Sequence, residues 1–267
     1  MEKEILNMEE AAELFSVSIK TFIKLLKEEK VPARKIGREW RFSRKALVDW
    51  LSSGDSQVYS SSESDARDFF NRIAPDWEDL RKGYYDESVV NRLIEMDLLK
   101  SDMTVLDLGA GDGYLSRAAA GYARKVIAVD ISGEMLRELR KKADMEGIPN
   151  IETVESDGCG MPLEDSCIDV VCSNMFLHHI EDPERAVKEM YRVLKPDGVV
   201  FLADLKEHSD REFKDKMHDV WQGFDTDDIS EWFRKCGFRK IGYDNMSDRK
   251  GDRNKTEGHI FIMNAVK

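Results

Sequence analysis

The sequence predicts an α/β protein in which a largely parallel sheet is covered by helices on both faces, with a small helical domain ahead of it. Three observations carry this expectation. From residue 104 onward, apolar runs short enough for strands alternate with stretches of helical periodicity, the pattern of a parallel sheet. Residues 52 to 65, SSGDSQVYSSSESD, have no apolar periodicity and the Ser-rich composition of a flexible linker. Ahead of that run, three helical segments and a hairpin fit within about 45 residues. These breaks divide the chain into residues 1–52, a linker at 53–65, and residues 66–267.

In the first segment Asn7 is placed to cap a helix from Met8 to Phe15, and Glu10 completes a capping box. Ala11, Ala12, Leu14 and Phe15 form its apolar face. Ser18 caps a second helix whose Phe22, Ile23, Leu25 and Leu26 point inward, leaving Lys20, Thr21, Lys24 and Lys27 to solvent or a ligand. VPARKIGREWRF then supplies two short strands around a turn at Gly37 and Arg38, and Ser43 opens a third helix through Trp50. Helix, tight turn, helix, hairpin, helix is a winged helix-turn-helix.

The stretch LNMEEAAELFSVSIKTFIKLLKEEKVPARKIGREWRFSRKALVDWL resembles the small DNA-binding domains of the excisionase and MerR type along its full length. The resemblance implies DNA as the partner of residues 1–52, with the second helix in the major groove and the wing on the backbone. It makes Ser18, Lys20, Thr21 and Lys24 candidate groove contacts, and Arg34, Lys35, Arg38 and Arg41 candidate phosphate contacts. No coiled-coil heptads follow, so a homodimer would have to form through another surface.

Charge is distributed in keeping with this. The net charge of −12 opposes nucleic-acid binding on average, yet Ser18 to Lys45 hold ten Lys or Arg against three acids, while residues 53–267 carry 30 basic and 44 acidic side chains. A hydrophobic fraction of 41% with 35% charged residues is that of a soluble protein. No apolar run approaches the roughly 18 residues of a membrane span, and MEKEILNMEEAAELF is not a secretory signal, so a cytoplasmic protein without a membrane partner is expected. Cys159, Cys167, Cys172 and Cys236 have no CxxC spacing; they read as reduced core thiols, and no metal is expected.

In the larger segment TVLDLG is followed by a helix from Asp112 to Ala120, KVIAVD by a helix from Ser132 to Met145, and IETVES by a loop. IDVVCS leads to a helix from Pro183 to Leu194, and GVVFLAD follows it. Ligands of such sheets sit at the carboxyl ends of the strands. The turn there is glycine-rich, but it is not a dinucleotide fingerprint, because Tyr114 stands where the third glycine of G-x-G-x-x-G belongs. Asp107 and Asp112 flank the turn, and two carboxylates repel a pyrophosphate. A ligand with a cationic end and no phosphate suits the turn better. Asp130 ends the second strand, 19 residues after Gly111, where an acid reaches both hydroxyls of a ribose. Ribose without phosphate, joined to a cationic amino-acid-like portion, describes S-adenosylmethionine.

TVLDLGAGDGYLS, VIAVDIS and VESDGCGMPLEDSCIDVVCSNMFLHHIEDPERAVKEMYRVLKPDGVVFLAD together resemble the class I S-adenosylmethionine-dependent methyltransferases, from about residue 66 to 267. The resemblance implies a Rossmann-like seven-stranded sheet whose last strand is reversed, with FRKIGYDNM and EGHIFIMNAVK as the closing hairpin. It implies S-adenosylmethionine as cofactor and S-adenosylhomocysteine as product. Asp107, Gly109, Ala110 and Gly111 would line the methionine portion, and Asp130 would take the ribose hydroxyls. Ile131 and Met135 would lie against the adenine, Asp157 would accept from its amino group beside Gly158, and Asn174 would face the sulfonium.

Methyl transfer needs alignment more than proton removal. Where the acceptor is protonated, His178 and His179, after the fourth strand, are the candidate bases. Phe70, Tyr84 and Tyr85 before the sheet, with His218 and Trp221 after the fifth strand, are candidate lid residues around an acceptor. CSNMFLHH carries no Asn-Pro-Pro-Tyr motif for a flipped base, and the cysteine pattern of arsenite methyltransferases is absent. Two readings follow: a methyltransferase acting on a small-molecule acceptor with an appended DNA-binding module, or a transcriptional regulator that senses S-adenosylmethionine or S-adenosylhomocysteine through the same fold.

Overall fold

The computed structural model describes residues 3–15, 17–28, 31–37, 39–53, 66–82, 87–208, 217, 219–246 and 260–267. The chain forms two compact units, Met1–Ser62 and Glu63–Lys267. Apart from Ser53, the expected linker lies outside the described residues.

In the first unit β1 (Ile5–Leu6), α1 (Met8–Leu14), α2 (Ile19–Glu28), β2 (Arg34–Ile36), β3 (Glu39–Ser43) and α3 (Arg44–Ser53) follow in order. The capping box forms: Asn7 Oδ1 accepts from the Glu10 N–H and Glu10 Oε2 from the Asn7 N–H, both at 2.9 Å. Ser18 Oγ accepts from the Thr21 N–H at 3.0 Å and so opens α2. Phe22 and Phe42 meet edge to face at 5.2 Å over a core of Leu6, Ala11, Ala12, Val31 and Leu47. Two expectations are corrected. Ile23 is 37% exposed rather than inward-facing, and α3 runs past Trp50 to Ser53. The two-residue β1, too short to show alternation, pairs with β3 and makes the hairpin a three-stranded sheet. Asn7→Ala should lower the stability of this unit by about 1 kcal/mol, the usual value of an N-cap. Urea unfolding of the full chain, followed at backbone amide resonances of residues 1–52, would read it; an unmoved midpoint would deny the cap a role.

The second unit begins with α4 (66–73), a 3₁₀ turn (Ala74–Asp76), α5 (Trp77–Arg81) and α6 (Ser88–Glu95). The sheet then alternates: β4 (Thr104–Leu108), α7 (Tyr114–Ala120), β5 (Lys125–Asp130), α8 (Gly133–Glu146), β6 (Ile151–Glu155), β7 (Ile168–Asn174), a 3₁₀ turn (Leu177–His179), α9 (Pro183–Val193) and β8 (Leu194–Leu205). It closes with α10 (Thr226–Cys236), β9 (Arg239–Asn245) and β10 (Ile260–Val266). Strand order is β6-β5-β4-β7-β8-β10-β9, parallel except for β10, which is antiparallel to both neighbours. This is the Rossmann-like seven-stranded sheet.

Strands covered on both faces must be apolar at successive positions. Leu106, Leu108, Ile127 and Val129 pack toward α9 and α10, while Val105, Val126, Val170 and Cys172 pack toward α6 and α7. Helix α7 starts at Tyr114, later than Asp112, because Gly113 at φ +86° is left-handed and cannot be its first turn. A Cβ there would also lie 2.5 Å from Leu139 Cγ, so the close approach of α8 needs a glycine. Helix α9 ends at Val193, and β8 starts at once, with a register shift opposite Ile168–Val170 absorbing Lys195–Gly198. None of the four cysteines is in a disulfide; Cys172 is buried, and Cys159, Cys167 and Cys236 are half-buried. Among the described residues, no helix is long and apolar enough to cross a membrane.

Candidate functional site

The carboxyl ends of β4, β5, β6 and β7 bring the predicted ligand residues to one edge of the sheet. The turn after β4 is folded onto β5: the N–H groups of Gly109 and Ala110 both donate to the Val129 carbonyl, at 2.9 and 3.0 Å. Gly109 and Gly111 take positive φ, +76° and +54°. The Gly111 N–H then donates to Asp130 Oδ2 at 2.8 Å, and the Ser132 N–H to Asp130 Oδ1 at 2.9 Å. Each Asp130 oxygen is thereby oriented, with acceptor capacity left over. Burial raises its pKa to about 6, against the opposing pull of these N–H groups.

Asp107 lies beneath the turn, 2% exposed, and accepts from Ser116 Oγ at 2.5 Å. Burial pushes its pKa from 3.8 to about 7 despite the bonds from Ser116, with Asp130 and Asp112 adding to the rise. Its neighbour across the sheet, Cys172, is itself pushed up by burial. An unfolded carboxyl ionises near pH 4, so between about pH 4 and 7 the folded chain holds a proton that the unfolded chain has released, and stability falls as pH rises through that window. Asp107→Asn does not titrate but keeps an acceptor for Ser116. Its stability relative to the wild type should therefore climb from about pH 4 to 7 and level off above, in urea melts at stepped pH. A difference independent of pH would mean that Asp107 is ionised throughout.

Asp112 departs from the sequence argument. Lys142 Nζ sits 2.5 Å from its Oδ2, so much of the negative charge expected beside the turn is neutralised. Lys142 also binds Glu78 at 2.8 Å, and with Lys82 holds that carboxyl down at about 2. Asn174, 8% exposed at the end of β7, has no hydrogen-bond partner on Oδ1 among the described residues. Asp157 Oδ1 accepts from the Cys159 N–H at 2.9 Å and shapes the loop at Gly158, φ +80°. Met135 is fully buried at the start of α8, and Ile131 is half-buried beside Asp130.

Residues outside the predicted cofactor-binding set complete this edge. Phe176 lies against both Gly109 and Gly158, where a Cβ would come within 2.6 and 2.8 Å of its side chain. Trp77 Nε1 approaches Gly111, and Arg81 stacks 4.0 Å over the Tyr114 ring. Asn71 Oδ1 accepts from Ser132 Oγ at 2.8 Å and from the Glu134 N–H at 3.3 Å, and Arg67 Nε donates to the Ile131 carbonyl at 3.3 Å. The segment 66–82 thus covers the turn and the loop after Asp130.

Among the candidate lid residues, Phe70 stands edge-on to His179 at 5.1 Å and to Trp77 at 5.9 Å. His178 is 2% exposed, with Nδ1 on Asp204 Oδ1 at 2.6 Å. Burial works to lower its pKa, but Asp204 and Asp219 outweigh that and raise it. Trp221 is 39% exposed, donates Nε1–H to the Ile180 carbonyl at 2.9 Å and packs on Phe224. Tyr84, Tyr85 and His218 lie outside the described residues.

In the helix-turn-helix unit Arg34 and Arg41 are cross-strand partners, and Lys35 pairs with Trp40 on the other face. Arg41 also binds Glu39 and the Trp40 carbonyl. Lys20 and Thr21 are exposed on α2, whereas the Ser18 hydroxyl is engaged as the cap and lies 2.8 Å from Thr21 Oγ1. Arg38 and the Lys24 side chain lie outside what the structure describes.

Comparison with known proteins agrees with both units. Residues 106–202 match the model of a methyltransferase domain, and residues 5–55 that of a helix-turn-helix domain. Malonyl-[acyl-carrier protein] O-methyltransferase of Pectobacterium atrosepticum is 34% identical over 134 residues, 50% of this chain and 49% of that protein. The chain spans about half the length of the curated relatives it matches. Among solved structures, the putative methyltransferase bound to the Trm112 activator of Haloferax volcanii superposes with a TM-score of 0.66 at 20% identity, covering 75% of this chain and 96% of that chain. Haemonchus contortus phosphoethanolamine N-methyltransferase 2, solved with S-adenosylhomocysteine, gives 0.57 at 21% identity, covering 68% of this chain and 52% of that chain. At those identities the likeness is one of fold. Sheet order, glycine turn and both domain matches point the same way: residues 106–202 are similar to a methyltransferase domain and residues 5–55, ahead of them, to a helix-turn-helix domain.

Proposed function

We propose that residues 66–267 transfer a methyl group from S-adenosylmethionine to a small-molecule acceptor, and that residues 1–52 bind DNA and so localise or regulate that activity. The observation that carries the first half is the Asp130 carboxylate, held at the end of β5 by the Gly111 and Ser132 N–H groups beside a turn of left-handed glycines. The donor set fits the cofactor. Asp130 offers two oriented oxygens to ribose hydroxyls, buried Asp107 offers an acceptor to the ammonium group of the methionine portion, and Asn174 Oδ1, without a hydrogen-bond partner among the described residues, would face the sulfonium. Ile131 and Met135 would support the adenine, and Asp157, beside Gly158, would accept from its amino group. S-adenosylmethionine, when bound, supplies an activated methyl group on a sulfonium; the protein's part is then to align the acceptor and exclude water.

Phe70 and His179, in contact at the acceptor edge, would bound the acceptor, with Trp221 at the rim. His178, enclosed between Asp204 and Asp219, orients that edge rather than meeting the acceptor. The test is incubation of the full-length protein with methyl-labelled S-adenosylmethionine and fractionated small metabolites. Label transferred to one fraction, and lost with Asp130→Ala, supports the enzyme. Tight binding of the cofactor without turnover in any fraction would replace it with a sensor of S-adenosylmethionine or S-adenosylhomocysteine.

A further inference from the structure

The 3₁₀ turn after β7 gathers a set of side chains that cofactor binding does not use. His178 Nε2 lies 3.6 Å from Asp219 Oδ1, and His179 Nδ1 lies 3.4 Å from the same oxygen. One ligand atom from each of the three residues falls within 4.8 Å of the others. In a tetrahedral site with bonds of about 2.0–2.1 Å, ligand atoms are separated by about 3.3–3.5 Å along each edge. The two measured separations are close to that edge.

The surroundings fix the ligands. Asp204, fully buried, accepts from His178 Nδ1 at 2.6 Å, from the Leu177 N–H at 2.9 Å and from the Leu205 N–H at 2.7 Å. It therefore selects the imidazole tautomer that leaves Nε2 as a lone pair facing Asp219, the arrangement in which a carboxylate orients a metal-bound histidine. The Asp219 segment is tied to the same turn, since the Val220 and Trp221 N–H groups both donate to the His178 carbonyl, at 2.9 and 3.0 Å. Asp204 and Asp219 are both buried, and imidazoles ligate only when neutral, so an ion held here would meet one ligating carboxylate and two neutral rings with a second carboxylate behind one of them.

We infer that His178, His179 and Asp219 form a site for a divalent transition-metal ion, with Asp204 as the positioning residue for His178. Two imidazoles and one carboxylate suit zinc, cobalt or ferrous iron, and exclude magnesium and calcium, which prefer all-oxygen shells. Three protein ligands leave a coordination position, which would suit a hydroxyl or thiolate of an acceptor. That last role rests on the methyltransferase reading, whereas metal binding does not.

The test uses the full-length protein stripped with EDTA and titrated with Co²⁺, whose visible absorption reports tetrahedral nitrogen and oxygen ligation, followed by displacement with Zn²⁺. One ion per chain, undisturbed by excess Mg²⁺ or Ca²⁺, is expected. His179→Gln and Asp219→Ala should abolish the band, and Asp204→Asn should weaken binding by about 10- to 100-fold. Thermal melts identify any variant that has failed to fold, and His179→Gln, on the half-buried ligand, is the substitution least disturbing to packing. A folded wild type that binds neither ion, or folded variants that bind as tightly as the wild type, would overturn the assignment. Because no step needs turnover, an inactive protein that binds Co²⁺ would separate failure of the methyltransferase reading from failure of this one.

Discussion

Asp130→Ala should weaken S-adenosylmethionine binding by about 100- to 10,000-fold. Both carboxylate oxygens are already oriented by the Gly111 and Ser132 N–H groups, and each retains a lone pair. Two hydroxyl donors on an ionised acceptor contribute about 1.5–3 kcal/mol each, and about 1.4 kcal/mol is a factor of ten. The ribose is common to both forms of the cofactor, so S-adenosylhomocysteine should lose affinity by the same factor. A change at Asn174, proposed to face the sulfonium by which the two ligands differ, need not treat them alike. Asp130→Asn keeps one acceptor without the charge and should fall between wild type and Asp130→Ala. Titration calorimetry with both ligands decides it; unchanged affinity would remove Asp130 from the ribose site and leave it as a turn-holding residue.

Removing Arg34, Lys35 and Arg41 together should lower DNA affinity for every sequence and flatten its salt dependence. The slope of log K against log salt changes by about 0.9 for each phosphate that is no longer neutralised, or up to about 2.7 for three. Arg34 and Arg41 stand directly opposite one another on β2 and β3, and like charges so placed repel unless an anion lies between them. The triple variant should therefore be no less stable than the wild type, which keeps weakened binding from being mistaken for unfolding. Lys35 points to the face of Trp40, so its single replacement should change the slope less than that of Arg34. A slope unaltered by the triple change would place the DNA surface elsewhere.

Much of this molecule could be read from its sequence wherever the determining interaction is local. Asn7 with Glu10, Ser18 with Thr21, and the apolar runs of β4, β5 and β7 each state their structure within a few residues. The glycine turn is legible for the same reason, since left-handed φ is a property of single residues. What escaped the sequence depends on partners distant along the chain. Lys142 neutralises Asp112 across 30 residues, which a local charge count cannot register. Phe176 as the surface against two glycines, Asn71 on Ser132, and Asp204 and Asp219 around the histidines all arise from strand order and helix placement. Ile23 failed as a core residue because α2 buries a narrow stripe centred on Phe22, narrower than its hydrophobic pattern.

The bonds from Asn71 and Arg67 to the loop after Asp130 have a consequence in time as well as in space. Unwinding of α4 would release the Ser132 hydroxyl, the Glu134 N–H and the Ile131 carbonyl from their partners at once, so opening of the helix and of that loop should be coupled. A ligand seated on Asp130 therefore slows amide exchange in α4, a segment it need not touch.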